Sequence, residues 1–282
     1  MKFLKFTAVV ATIAILFVGC STKEVKKEID TRYAEENITD PNELTSYELN
    51  KIGDQIYMNE TGGNPKYLMY WSPSETFPSL GYGHFIWYPS NQPQKFDQTF
   101  PAMIQYYIDN KVEIPDWLRK QKNLGAPWSN RQAFERARRT NQFQQLKTLL
   151  VDTKALQTKF FFDRVRASIP DILDNVSKAD KARIKQNYNA VADTEGGWYP
   201  LIDYINFKGK GIKGTERYNG QGWGLLQVLK TMRPVQKGPQ ALQEFSNAAR
   251  AVLERRVRNK PSERHFIRGW IKRTNTYAKS IF

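Results

Sequence analysis

Asn59-Glu60-Thr61-Gly62-Gly63, followed by Pro78-Ser79-Leu80-Gly81-Tyr82-Gly83-His84, is the stretch that decides how this chain is read. Upstream of it, Leu49, Ile52 and Ile56 recur at three- and four-residue spacing. Glu60 continues that face one turn later, which predicts a glutamate at the end of an amphipathic helix, on its core-facing side. Gly62-Gly63 is a natural helix stop. The start is expected at Asp40, with Pro41 in the first turn and Glu43 completing a near capping box. Beyond the glycines the character changes. Tyr67 to Trp71 and Leu80 to Tyr88 are aromatic-rich and bounded by Pro73, Ser74 and Pro78, a pattern that predicts a small β-hairpin or meander.

A glutamate closing a helix, then a small sheet carrying Ser-Leu-Gly-Tyr-Gly-His, resembles the catalytic segment of phage-type lysozymes. That resemblance covers about 30 residues of the 282. It implies a lysozyme-like helical domain with Glu60 as general acid. Ser79 falls where the family places a water-positioning threonine, and His84 matches the histidine that closes the motif. The family's second carboxylate falls on Pro73, so Glu75, four residues before Ser79, is the nearest candidate base. The chemistry is coherent with the resemblance. A partly desolvated carboxyl holds its proton to higher pH and can give it to a leaving oxygen. Glycines flanking Tyr82 would let backbone approach a sugar while the ring offers a stacking face. The plain structural alternatives are an exposed carboxylate at a helix end, a tight turn at Gly81-Tyr82-Gly83 and a purely structural His84.

A second constellation runs from Asp193-Thr194-Glu195-Gly196-Gly197-Trp198 through Asp203 and Asn206 to Glu216, Gln221 and Trp223. Gly224-Leu225-Leu226-Gln227 resembles the Gly-Leu-Met-Gln element of lytic transglycosylases, which also have lysozyme-like folds. Trp198 and Trp223 would stack on sugar rings in a far cleft wall, with Asp203, Asn206, Glu216 and Gln221 as polar contacts. The alternative is a glycine-rich loop entering a helix buried through Leu225, Leu226, Val228 and Leu229.

Elimination narrows the chemistry further. Two histidines, His84 and His265, and one cysteine are too few for a His/Cys zinc site, and no H-E-x-x-H occurs. There is no G-x-S-x-G, P-loop, G-x-G-x-x-G or EF-hand loop. No metal and no cofactor are expected, and carboxylates are the groups left to act, as in glycoside hydrolysis.

After Pro101 the pattern is helical nearly to the end. Starts are expected at Ser129, and at Ser177 with Asp180 as a near capping box. Pro115, Pro170, Pro200, Pro234 and Pro261 punctuate the run. Arg250, Arg255, Arg256, Arg258, Arg264, Arg268 and Arg273 read as a solvated basic face, or as a surface for an anionic cell wall. The fold class expected is mainly α (α+β), with the globular domain spanning residues 41–282.

The first residues place this domain. Lys2 and Lys5 precede a thirteen-residue uncharged stretch, Thr7 to Gly19, shorter than the about 20 residues a membrane-spanning helix needs. Leu16-Phe17-Val18-Gly19-Cys20 resembles a bacterial lipobox, with Leu one place earlier than usual. That resemblance implies cleavage after a signal peptide of residues 1–19, lipidation of Cys20 and a membrane anchor there. Ser21 in place of Asp resembles lipoproteins sent to an outer membrane, here facing the periplasm. Residues 20–40 are charged and read as a lipidated tether of roughly 25 Å. Without Lys2 and Lys5, 41 basic residues face 28 acidic ones, about +13. Outside the cytoplasm that charge points to peptidoglycan glycan strands and anionic envelope surfaces rather than nucleic acid. The expectation is an envelope lipoprotein that binds and cleaves peptidoglycan strands. Its rivals are a lytic transglycosylase and a non-catalytic binder of glycan or of an envelope protein.

Overall fold

The computed structural model describes residues 43–90 and 92–282. The signal peptide, Cys20, the tether and the helix start placed at Asp40-Pro41 lie outside the described residues. Leu44–Phe282 forms one packed unit. It is mainly helical, as the sequence predicts, with eleven α-helices and two small antiparallel sheets among the described residues. No helix among them is long and apolar enough to cross a membrane.

Helix α1 spans Ser46–Thr61 and buries Leu49, Ile52 and Ile56. Its capping box is Thr45 with Glu48. Glu48 N–H donates to Thr45 Oγ1 at 3.2 Å, and Thr45 N–H donates to Glu48 Oε2 at 2.8 Å. At the far end Gly62 adopts φ 63°, a left-handed value that favours glycine, and its N–H donates to Met58 O at 2.9 Å.

The first sheet is a meander, β1 (Met69–Tyr70), β2 (Ser79–Leu80) and β3 (Phe85–Ile86), in sequence order. Its register pairs Met69 with Leu80 and Leu80 with Phe85, so all three apolar residues point to one face. The Phe85 ring stacks on Phe161 with centroids 4.8 Å apart.

Helices α2 (Phe100–Asp109), α3 (Asp116–Gln121), α4 (Arg131–Ala137) and α5 (Asn141–Asp152) follow. The cap of α4 is Asn130 rather than Ser129, because Asn130 Oδ1 accepts from Ala133 N–H at 2.9 Å. Helix α6 (Lys154–Asp174) packs against α1 and α2, and against α7 (Lys178–Ala192) and α8 (Trp198–Lys208). Pro170 does not break α6; Ile172 just beyond it is fully buried, and tertiary packing carries the helix through. Pro200 lies in the first turn of α8, where no intrahelical N–H partner is lost. Ser177 caps α7 as expected.

A second hairpin, β4 (Arg217–Tyr218) and β5 (Gln221–Gly222), turns on Asn219 at φ 52° and Gly220 at φ 74°. Both positive angles are those of a tight two-residue hairpin turn, which Asn-Gly suits. Helix α9 (Leu225–Thr231) buries Leu225, Leu226, Val228 and Leu229. Helix α10 (Pro239–Asn259) and helix α11 (Ile267–Asn275) close the chain, α10 packing against α7, α8, α9 and α11.

Candidate active site

Glu60 sits in the last turn of α1, with its side chain 22% exposed. A carboxylate at a helix C-terminus faces the negative end of the helix dipole. A cation from the other end of the chain offsets this: Arg273 Nη2 lies 2.7 Å from Glu60 Oε1. The second oxygen, Oε2, faces His84 Nδ1 at 3.8 Å. Asn59, the neighbouring residue, fixes the helix end by donating from Nδ2 to the Tyr199 hydroxyl at 2.8 Å.

Arg273 is itself buried and is gripped in a bidentate pair by Asp203, Nε to Oδ2 at 2.8 Å and Nη2 to Oδ1 at 2.7 Å. Burial disfavours its charge, but Asp203 and Glu60 outweigh that and hold its pKa above the ordinary arginine value. Tyr277 donates its hydroxyl to Asp203 Oδ2, so a fully buried carboxylate has all its partners supplied by α11 and the turn after it. The Arg273 guanidinium also lies 4.1 Å from the centre of the Phe207 ring.

His84 adopts φ 50°, and its N–H closes a turn onto Gly81 O at 3.3 Å. Burial lowers its pKa from the usual 6.5; Glu60 pulls the other way, and Arg273 adds to the lowering. At neutral pH the imidazole facing Glu60 is therefore uncharged. Its Nε2 is buried without a hydrogen-bond partner among the described residues.

From Arg273 a strip of alternating cations and rings leads away from Glu60. Lys208 Nζ, at the end of α8, lies 3.8 Å from the Phe207 ring centre and 3.7 Å from that of Trp270. Arg256 reaches the Trp270 ring at 5.0 Å and the Trp223 ring at 4.0 Å, and pairs with Glu263 at 2.6 Å. Among the described residues Lys208 has no such carboxylate. Burial, then Arg256 and Arg273, push its pKa down to about 6, against the weaker pull of Glu263 and Glu60.

Of the residues singled out in the sequence, Glu60, His84 and Asp203 are brought together, the last through Arg273. Asp203 is fully buried and cannot serve as a sugar contact; its role is to hold Arg273. Glu75 lies in the turn between β1 and β2, where its carbonyl accepts from Trp71 Nε1 at 2.9 Å. Ser79 occupies β2 opposite Tyr70 and Ile86. Neither is among the side chains contacting Glu60. The Tyr82 ring lies against Tyr57, with centroids 5.0 Å apart, and under Lys154.

The space beside Gly81 and Gly83 is filled by the chain's own helix α6. A Cβ on Gly83 would meet the Phe161 ring at 2.0 Å, and one on Gly81 would meet Gln157 Oε1 at 2.3 Å. Trp198 packs between Phe162 and Tyr188. Glu216 accepts from Gly211 N–H at 2.9 Å, Gln221 from Asn259 at 2.9 Å, and Asn206 is partly buried. Trp223 is buried, its ring covered by Arg256 and Tyr218. These side chains build the second hairpin and the helix interfaces. Gln227 likewise turns inward, donating to Gly211 O at 3.0 Å and accepting from Gly224 N–H at 2.8 Å. The glycine-rich entry to a buried helix is thus the arrangement present at Gly224.

Arg273, Phe207, Lys208 and Trp270 were not singled out as site residues by the sequence. Arg273 is one of seven arginines in a basic run, of which Arg258, Arg264 and Arg268 are indeed exposed. Only Tyr277, one turn after it, distinguishes it. A separate cavity of about 330 Å³ lined by Asp193, Glu195, Lys237 and Ser280 shares none of these residues. Among the described residues no group of His, Cys, Asp and Glu is arranged to hold a metal ion. Comparison with protein-family models, curated proteins and solved structures finds no match for this chain.

Proposed function

We propose that this chain is an envelope-anchored, lysozyme-like domain that binds and cleaves peptidoglycan glycan strands, with Glu60 as the proton-carrying group. The observation that carries the reading is Glu60 itself, a partly exposed carboxylate at a helix end, fixed by Arg273 and faced by a neutral imidazole beside a small sheet. Arg273 occupies Oε1, so in the proposed step the proton is passed from Oε2, on the His84 side. It passes to the glycosidic oxygen as the bond from that oxygen to the anomeric carbon breaks, and the aglycone leaves as an alcohol. In the hydrolytic form a water adds to the anomeric carbon, with Glu75 and Ser79 as its base and positioning group. Cys20 and the tether would hold the domain at an outer membrane facing the periplasm.

A second reading is favoured by the surroundings of Glu60. The other carboxylate in its network, Asp203, is fully buried and neutralised by Arg273. With one carboxylate reaching solvent there, Glu60 would first give its proton and then, as carboxylate, accept one from the sugar's own 6-hydroxyl. The 6-oxygen closes onto the anomeric carbon, leaving an anhydro sugar.

The full chain in detergent, incubated with purified sacculi, tests both. Reducing ends support hydrolysis, and anhydro-muropeptides support the transglycosylase. Sacculus binding without soluble products supports the non-catalytic binder. Unchanged turnover in Glu60→Gln overturns the assignment of Glu60.

A further inference from the structure

Among the described residues, Arg273 and Arg256 of this strip are paired with carboxylates and Lys208 is not. Arg273 is neutralised by Asp203 and Glu60, and Arg256 by Glu263. The Lys208 ammonium is held only by the faces of Phe207 and Trp270, at 3.8 and 3.7 Å. Two guanidinium groups flank it, Arg273 over the same Phe207 ring and Arg256 over the same Trp270 ring. It is partly accessible to solvent, and the Trp270 ring stacks on the half-exposed Phe266 with an interplanar angle of 13°. An ammonium pressed on aromatic faces with its hydrogen-bond donors unspent is a site for a small anion next to an apolar ring. One ring away, across Phe207, lies the Arg273–Glu60 pair.

We infer that Lys208 binds the carboxylate of an acidic sugar in the strand held at Glu60, and that the domain therefore prefers glycan whose lactyl groups are free of peptide. This inference rests on the glycan-cleaving reading of Glu60. Where a peptide is attached, the lactyl carboxylate of muramic acid has become an amide and offers no charge. Where the peptide has been removed, the carboxylate can accept two charge-assisted hydrogen bonds from the ammonium while the sugar's apolar face meets Phe266 and Trp270.

Binding also draws a proton onto Lys208, because an anion at the ammonium favours its charged form. Glu60, Arg273, Arg256 and Glu263 are the other charges acting on it, and the first two belong to the same site. The preference is accordingly stronger at about pH 5, where the free amine is already protonated, than at about pH 8.

The test compares three tetrasaccharides on the full chain in detergent by calorimetry: chitotetraose, the peptide-free alternating strand with free lactyl carboxylates, and the same strand with those carboxylates methylamidated. The free-carboxylate strand should bind roughly tenfold more tightly than the amidated one. Lys208→Met, which keeps the alkyl stem, should collapse that ratio to near one, and Lys208→Arg should retain part of it. Equal binding of the two strands by the unmodified protein, or an undiminished ratio in Lys208→Met, overturns the inference and leaves the glycan reading standing. Tighter binding of the methylamidated strand than of the free-carboxylate strand also overturns it. Binding of none of the glycans removes both readings.

Discussion

Arg273 Nη2 lies 2.7 Å from Glu60 Oε1, and the same nitrogen lies 2.7 Å from Asp203 Oδ1. One guanidinium thus joins the end of α1, the middle of α8 and α11. The buried Asp203 fixes Arg273, and Arg273 in turn fixes the exposed edge of Glu60. The geometry at Glu60 is set from inside the protein.

Removing the cation therefore strands a buried charge. Arg273→Met should destabilise the fold by about 3–5 kcal/mol, because Asp203 then has no counter-charge. The double variant Arg273→Met/Asp203→Leu should recover a large part of that loss. Urea unfolding of the four forms decides it; additive losses would rule out the pair as the cause.

Glu60→Gln should behave differently. Arg273 keeps Asp203, and Glu60 is partly exposed, so stability should change by no more than about 1 kcal/mol. Glycan cleavage should fall by about 10²-fold or more if Glu60 carries the proton. Thermal unfolding and product release are to be measured on the same preparation. A stability loss matching that of Arg273→Met would make Glu60 structural.

Lys208 predicts a pH dependence of stability. Its pKa falls from 10.5 in the unfolded chain to about 6 in the fold, so the folded state prefers the neutral amine. The cost of taking up its proton is fully present below pH about 6 and fades as pH rises towards about 10.5. Lys208→Met should therefore raise the melting temperature most at the acid end, with the gain shrinking steadily upward. A pH-independent shift would contradict the assignment. His84 acts in the same sense over a narrower range, since its pKa is also lowered from 6.5.

Gly83→Ala should cost about 1–3 kcal/mol by overpacking against the Phe161 ring. Trimming the ring with Phe161→Leu in the Gly83→Ala background should return part of it. Chemical denaturation of the single and double variants checks this. A neutral Gly83→Ala would show that the sheet can shift away from α6.

Several features were legible because they are local. Leu49, Ile52 and Ile56 marked one buried face, Gly62 marked the helix end, and Ser177 marked the start of α7. The aromatic segments between turn residues marked the meander. Two further signals are equally local: Thr45 with Glu48 is a full capping box, and Asn219-Gly220 is a strong hairpin signal. Asn130 rather than Ser129 caps α4, because it is the Asn130 side chain that accepts from the N–H of Ala133.

What the sequence by itself determined is therefore the helical class, the small sheet and the position of Glu60 at a helix end. Those follow from spacing, caps and turn residues, interactions whose partners lie within a few positions along the chain. Tertiary structure alone decided which of many arginines meets Glu60, why Asp203 is out of reach of any ligand, and that Lys208 is left without a carboxylate. Each depends on side chains brought together from α1, α8, α10 and α11, and no periodicity encodes a contact between elements so distant in sequence. Burial then gives those contacts their weight, because a charge removed from water must find its partner inside the fold.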